Sequence, residues 1–228
     1  MNNEKKNKKV DVKTELKKAR DYTQEHPLCA DARVIDKYID LLCGLVLVAE
    51  ENHINQTYEW ENSTLAHEYL AVAVSLLPYD EGLLTGFKAT SRMAQTVRQH
   101  PRLRLSLLRL EAQYIERLQS LQCDEVDQRI EELNDEIAQT EQRIALADQG
   151  KLDLITSISF IKTDPIEWTV QWEEVIDDVE REIYEKIKNQ SWGMGFCHSY
   201  WNVKSQVLCQ YGISWQSPAV LNPNILFD

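Results

Sequence analysis

Between Leu103 and Gln149 the chain contains neither glycine nor proline, and Ala, Leu, Glu, Gln and Arg dominate. A stretch of strong helix formers with no backbone punctuation predicts helix throughout. Its apolar residues fall into two stripes. Leu107, Leu110, Tyr114, Leu118 and Leu121 form the first; Val126, Ile130, Leu133, Ile137, Ile144 and Ala147 form the second, with Thr140 at the remaining seam position. The second stripe alternates steps of four and three, the spacing of a coiled-coil seam. A five-residue step from Leu121 to Val126 throws the stripes out of phase. Either one long helix carries a stutter there, or the chain turns at Gln122-Cys123 and Asp124 caps a second helix. Asp124 and Asp127 suit the positive end of a new helix, which favours an antiparallel hairpin projecting from the rest of the protein.

The same period recurs on both sides of this stretch. Asp11 to Glu25 is weakly helical and ends at His26-Pro27. Asp31 is placed to cap a helix running to about His53, with Val34, Ile35, Tyr38, Ile39, Leu42, Leu45, Val46 and Ala49 at three-and-four spacing. After a loop to Asn62, Ser63 or Thr64 opens a helix that Pro78 stops. Another follows from about Gly82 to Gln99; Gly86 inside it costs roughly 1 kcal/mol relative to Ala. Pro101 fits the first turn of the next helix. Leu152 to Ile161 reads as a short strand or an extended linker. Asp164-Pro165-Ile166-Glu167 then opens an amphipathic helix whose face is Trp168, Trp172, Val175, Val179, Ile183 and Ile187. Phe196 to Tyr211 forms a shorter helix stopped by Gly212, and an apolar, irregular tail follows.

With only 7 Gly and 6 Pro in 228 residues, a turn-rich β architecture is disfavoured. The expected fold is therefore an all-α helical bundle in one domain overall. It comprises a basic tail over residues 1–10, a helical body over 11–100, a long arm or hairpin over 101–150, and a Trp-rich helix, short helix and tail over 151–228 packed on the body.

Charge and cysteines bound the setting. Acidic residues number 37 against 25 basic, a formal charge of -12. That excess argues against general nucleic-acid binding, which needs a basic face. The exception is the lead-in, where residues 1–20 hold eight Lys/Arg and three acids. Lys5 to Arg20 could touch phosphates or an acidic partner, but the lysines lack interleaved aromatics or arginines, which favours a solubilising, frayed terminus. Five cysteines without a C-x-x-C pair suit reduced thiols. No apolar stretch follows the charged start, so it is not a secretory signal. The most apolar run, Leu41 to Ala49, is about half a membrane span. These features place the protein in the cytoplasm, off the membrane.

Candidate chemistry is sparse. Glu50-x-x-His53 closes one helix and His67-Glu68 opens the next. Glu-x-x-His puts two metal ligands on one helix face, the half-motif of di-iron bundles. A complete site needs the motif twice with two more carboxylates, and one copy exists, so solvated helix ends explain Glu50, His53 and His67 as well. Cys197-His198 does not make a nucleophile and base by itself, because helical neighbours point about 100° apart. Gly193-x-Gly195 lacks the strand and third glycine of a phosphate loop. Trp168, Trp172, Trp192, Trp201 and Trp215 could line a partner groove, although a helix, loop and tail meeting in a core use tryptophan the same way. The acids of 111–148 and 164–188 read as solvated helix faces or as a surface for a basic protein partner.

The resulting expectation is a non-enzymatic interaction protein with no cofactor. It would self-associate or dock a partner helix through the 103–149 arm, with Val126, Ile130, Leu133, Ile137 and Ile144 at the contact. The alternatives are a metal-binding helical-bundle enzyme using Glu50, His53 and His67, and weak nucleic-acid contact through the lysine-rich start.

Overall fold

The computed structural model describes residues 11–123, 126–157, 160–189, 193 and 195–227. Among these the regular structure is entirely helical: α1 (Val12–Glu25), α2 (Ala32–Asn55), α3 (Asn62–Leu76), α4 (Leu83–Thr96), α5 (Pro101–Ser120), α6 (Asp127–Asp148), α7 (Val170–Ile187), α8 (Phe196–Gln210) and α9 (Pro218–Leu221). Short 3-10 turns at Glu59–Glu61, Asp80–Gly82, Leu152–Leu154 and Pro165–Trp168 join them. No described helix is long and apolar enough to cross a membrane.

The caps follow local chemistry. Asp31 accepts the Arg33 N–H at 2.9 Å and starts α2. Ser63 does not cap α3, which begins at Asn62 with its hydroxyl turned elsewhere. Asp164 accepts the Ile166 N–H at 3.0 Å, but the turn it opens is 3-10. Thr169 then caps α7 by accepting the Trp172 N–H at 3.2 Å. The region from Leu152 begins as a 3-10 turn and continues without regular structure to Ser157, so no strand forms over its described residues.

The helices build two separate apolar cores. The larger gathers α1 to α6 around Leu42, Leu45, Val46, Tyr69, Met93, Leu107, Leu108 and Tyr114, all with essentially no exposure. The smaller gathers Trp172, Ile176, Val179 and Ile183 of α7 with Val207 and Leu208 of α8 and with Ile213 and Trp215 of the tail. Each such side chain contributes roughly 1.5–3 kcal/mol on burial. The tail is pinned by Asn222, which accepts the Lys162 N–H and donates to the Lys162 carbonyl, both at 2.9 Å.

Gly86 has a packing reason. An added Cβ there would lie 2.5 Å from two ring carbons of Tyr114. The glycine admits the phenol, whose hydroxyl donates to the Ala73 carbonyl at 2.7 Å and ties α5 to α3 across α4.

The chain breaks between α5 and α6. Gln122 adopts a left-handed backbone, φ 59°, and the Cys123 N–H returns to the Leu118 carbonyl at 3.1 Å. Asp124 lies outside the described residues. α6 runs back along α5, joined by Arg102–Asp148, Arg109–Glu141 and a chain of pairs from the fully buried Glu111 through Arg129 and Glu136 to Arg104. The hairpin does not project: α5 is a central helix of the larger core, and Val126 and Leu133 are buried in that same core. Ile130 and Ile137 pack against it half-buried. Four of the five seam residues, Val126, Ile130, Leu133 and Ile137, are thus covered by the chain's own larger core, which weakens the seam as an argument for a second copy; Ile144 is half-buried and belongs to neither core.

Candidate functional site: the cleft between two helical cores

The two cores meet across polar groups, and the connection between α4 and α5 is where they meet. The Trp172 indole N–H donates to the Gln99 carbonyl at 3.0 Å, and the Lys204 ammonium donates to the Gln99 side-chain oxygen at 2.7 Å. His100 Nε2 lies 3.0 Å from Asp177, whose other oxygen accepts the Ser63 hydroxyl at 2.5 Å. Glu173 accepts the N–H groups of Arg102 and Leu103, both at 3.1 Å, and so places a carboxylate on the positive end of α5. Helix α7 is therefore docked on the body by residues one turn apart along one stripe.

Beyond these contacts the two units part into a cleft of about 750 Å³. One wall comes from the end of α2 and the turn after it, with His53, Glu59 and Trp60. The other comes from α7 and α8, with Glu180, Ile183, Tyr184, Phe196 and Tyr200. Tyr58, Trp60 and Tyr184 form one aromatic cluster, with ring centroids 5.2 to 5.9 Å apart. Lys13 reaches the outer face of this cluster, 5.1 Å from the Tyr58 ring.

Behind Glu180 and Tyr200 of this wall lies an ionic network. Lys204 is buried, donates to Glu180 at 2.7 Å, and lies 5.0 to 5.7 Å from the rings of Trp172, Tyr200 and Trp215. The Tyr200 hydroxyl rests 2.8 Å from both Glu180 oxygens, and burial together with that carboxylate pushes the phenol well above its ordinary range. Glu59 has no such cation bonded to it. Burial pushes its carboxyl up and the Glu180 charge adds to this, with His53 at 3.2 Å and, more weakly, the Lys204 charge acting in the other direction. An ionised Glu59 is thus under-compensated and would gain from a cation entering the cleft. Aromatic faces beside it favour the same kind of guest.

The residues expected to bind metal are not gathered. Glu50 is held by Arg92 in a bidentate pair at 2.8 and 2.5 Å. His53 faces Glu59, and His67 Nδ1 faces the Ser63 carbonyl at 2.8 Å. Glu68 is drawn the other way by Arg20. Among the described residues no group of three His, Cys, Asp or Glu side chains is placed to hold a metal ion. Glu50 and Glu68 are thus held by arginines, His53 by a carboxylate and His67 by a carbonyl, each turned to a different partner.

The other candidates resolve similarly. Ser63, Asp177 and His100 do not form a nucleophile relay, since the hydroxyl donates to the carboxylate rather than to the imidazole. Cys197 lines the cleft, while His198 is exposed and edge-on to Trp201 with ring centroids 5.5 Å apart. Gly195, φ 79°, precedes α8. Trp172 and Trp215 lie in the smaller core, Trp201 packs against it, and Trp192 lies outside the described residues. Of the lysine-rich start only residues 11–20 are described, and there Arg20 pairs with Glu68 and Lys18 with Glu15. Sequence reasoning missed Tyr58, Glu59, Trp60 and Tyr184. Two aromatics around a glutamate in a short polar loop were the available signal.

Compared with models of protein families, with curated proteins and with solved structures, the chain matches none of them.

Proposed function

We propose that this protein is a non-enzymatic interaction module that docks a basic segment of a protein partner in the cleft between its body and α7–α8. One observation carries the reading: Glu59, an under-compensated carboxyl, sits in a concave wall with Trp60, Tyr184 and Tyr200. A lysine or arginine side chain supplies what that wall lacks, a positive head for the carboxylate and an alkyl stem for the rings. Exposed Glu174 on α7 extends the attraction beyond the cleft, while Asp178 and Glu185 are paired with Arg181 and Lys188. All five cysteines are free thiols, which fits residence in the reducing cytoplasm.

Selection from a random-peptide display library tests this. Enriched peptides should carry Lys or Arg beside an apolar residue and bind less tightly as salt rises. Glu59→Gln should weaken them by about tenfold, the range of one charge-assisted hydrogen bond. Enrichment without basic residues, or binding indifferent to both Glu59→Gln and Trp60→Ala, would overturn the proposal.

A further inference from the structure

A second cavity of about 420 Å³ lies near the other end of α7, bounded by the end of α4, the start of α5, the second half of α6 and the segment leading to Trp168. Its wall carries Arg98, Arg104 and Arg143 together with Thr140, Thr156, Ser157 and Thr163. In a chain with a formal charge of -12 this concentration of guanidinium groups is unexpected.

The pairing of the arginines sharpens the point. Among the described residues, Arg98 and Arg143 are the arginines with no ion pair to a carboxylate; Arg20, Arg33, Arg92, Arg102, Arg104, Arg109, Arg117, Arg129 and Arg181 each have one. Both exceptions line this cavity. Arg98 is exposed and its one hydrogen bond goes to Gln95 at 2.8 Å. Arg143 is 8% exposed. It stands 5.5 Å from the Trp168 ring, and donates from Nε to the Thr156 carbonyl at 2.9 Å and from Nη1 to the Gln139 carbonyl at 3.0 Å. Those acceptors are neutral, so a largely covered positive charge stands without a carboxylate at ion-pair distance among the described residues. Burying an uncompensated charge is costly. Arg104 adds to the deficit: its Nε is buried with no hydrogen-bond partner. The one carboxyl in the wall, Glu167, is committed to the Trp215 indole N–H at 2.8 Å.

We infer that this cavity binds a small oxyanion, a phosphoryl or carboxylate group, with Arg143 as the anchoring donor, Arg98 as a mobile second donor and the Thr156, Ser157 and Thr163 hydroxyls completing the shell. Guanidinium groups present several N–H donors in a plane and match an anion that offers two or more oxygens. Chloride, with no oxygen pair, gains less. The volume suits a metabolite-sized ligand rather than a peptide. The Trp168 ring stiffens Arg143 before the ligand arrives, which reduces the ordering cost of binding. This site shares no lining residue with the cleft proposed for the basic segment, so the two proposals fail independently.

Titration calorimetry with inorganic phosphate and with succinate, at ionic strength held constant with chloride, tests it. The expected result is saturable binding of at least one of the two at one site per chain, with a change in tryptophan fluorescence that Trp168→Phe abolishes. Arg143→Gln should weaken binding roughly tenfold or more, because a charge-assisted hydrogen bond is lost. Arg98→Gln, at an exposed position outside any ion pair among the described residues, should weaken it less and leave the helical circular dichroism unchanged; it carries the test if Arg143→Gln fails to fold. Saturation by phosphate alone identifies a phosphoryl ligand and saturation by succinate alone a carboxylate. No saturable binding of either anion, or affinity unchanged in Arg98→Gln and in folded Arg143→Gln, overturns the inference.

Discussion

Replacing Gly86 with alanine should destabilise the protein even though alanine is the better helix former. The propensity gain is about 1 kcal/mol. Against it stands the phenol of Tyr114, with two ring carbons 2.5 Å and the hydroxyl oxygen 2.7 Å from the position of the new Cβ. Carbon atoms in ordinary contact sit about 3.5–4.0 Å apart, so the ring must retreat by on the order of 1 Å. It has nowhere to go, being fully buried and tethered to the Ala73 carbonyl. Overpacking of this kind costs about 1–3 kcal/mol, and two facing ring carbons put Gly86→Ala at the upper end. The net loss is then roughly 2 kcal/mol, or a fall of about 4–8 °C in Tm for a chain of this size. The decisive measurement is a double-mutant cycle by urea unfolding. With the ring removed by Tyr114→Leu, Gly86→Ala should become neutral or stabilising by up to about 1 kcal/mol. The reasoning is refuted if Gly86→Ala matches or exceeds the parent in stability, or if its loss is the same in both backgrounds.

Two further outcomes follow from the burial of single groups. Glu167 has its carboxyl raised above the ordinary range by burial, with Lys204 opposing that shift, so the ionised form is disfavoured in the fold. That penalty is fully present above the folded value and fades as the pH falls through it towards about 4.3, the ordinary glutamate value. Glu167→Gln keeps an acceptor for the Trp215 N–H and should therefore raise Tm near pH 7, with the advantage shrinking in acid; a lower Tm at pH 7 contradicts the account. Leu133→Ala should cost about 2–5 kcal/mol, because the side chain is fully buried inside the chain. The light-scattering mass should stay that of the parent, and a shift to half that mass would show that the seam also holds two copies together.

Helices were legible where one face is apolar and a cap stands at its head. Helix α2 has Asp31 and a stripe at three-and-four spacing, and the structure begins it at Ala32. The end of α5 was legible too, since the phase slip after Leu121 coincides with the left-handed Gln122. The start of α7 was misplaced because Asp164 and Thr169 are both competent caps, and the first closes only a 3-10 turn. The hairpin was expected to project because periodicity shows that a stripe will be covered and not by what. The candidate sites were out of reach for a similar reason. Glu59 and Tyr200 are joined by the docking of α7, and Arg143 is unusual only once the partners of the other arginines are known.

The two apolar interiors each close on themselves and touch through Gln99, His100, Asp177 and Lys204. Prying them apart exposes these polar groups and the Tyr58–Trp60–Tyr184 cluster, whereas opening either interior exposes far more hydrocarbon. Thermal breathing of this molecule should therefore begin at that polar seam, with α7 and α8 swinging as one piece about the connection that leads from α6, while α2 and α5 keep their amide protons. A guest too long for the resting crevice gains entry through that same swing.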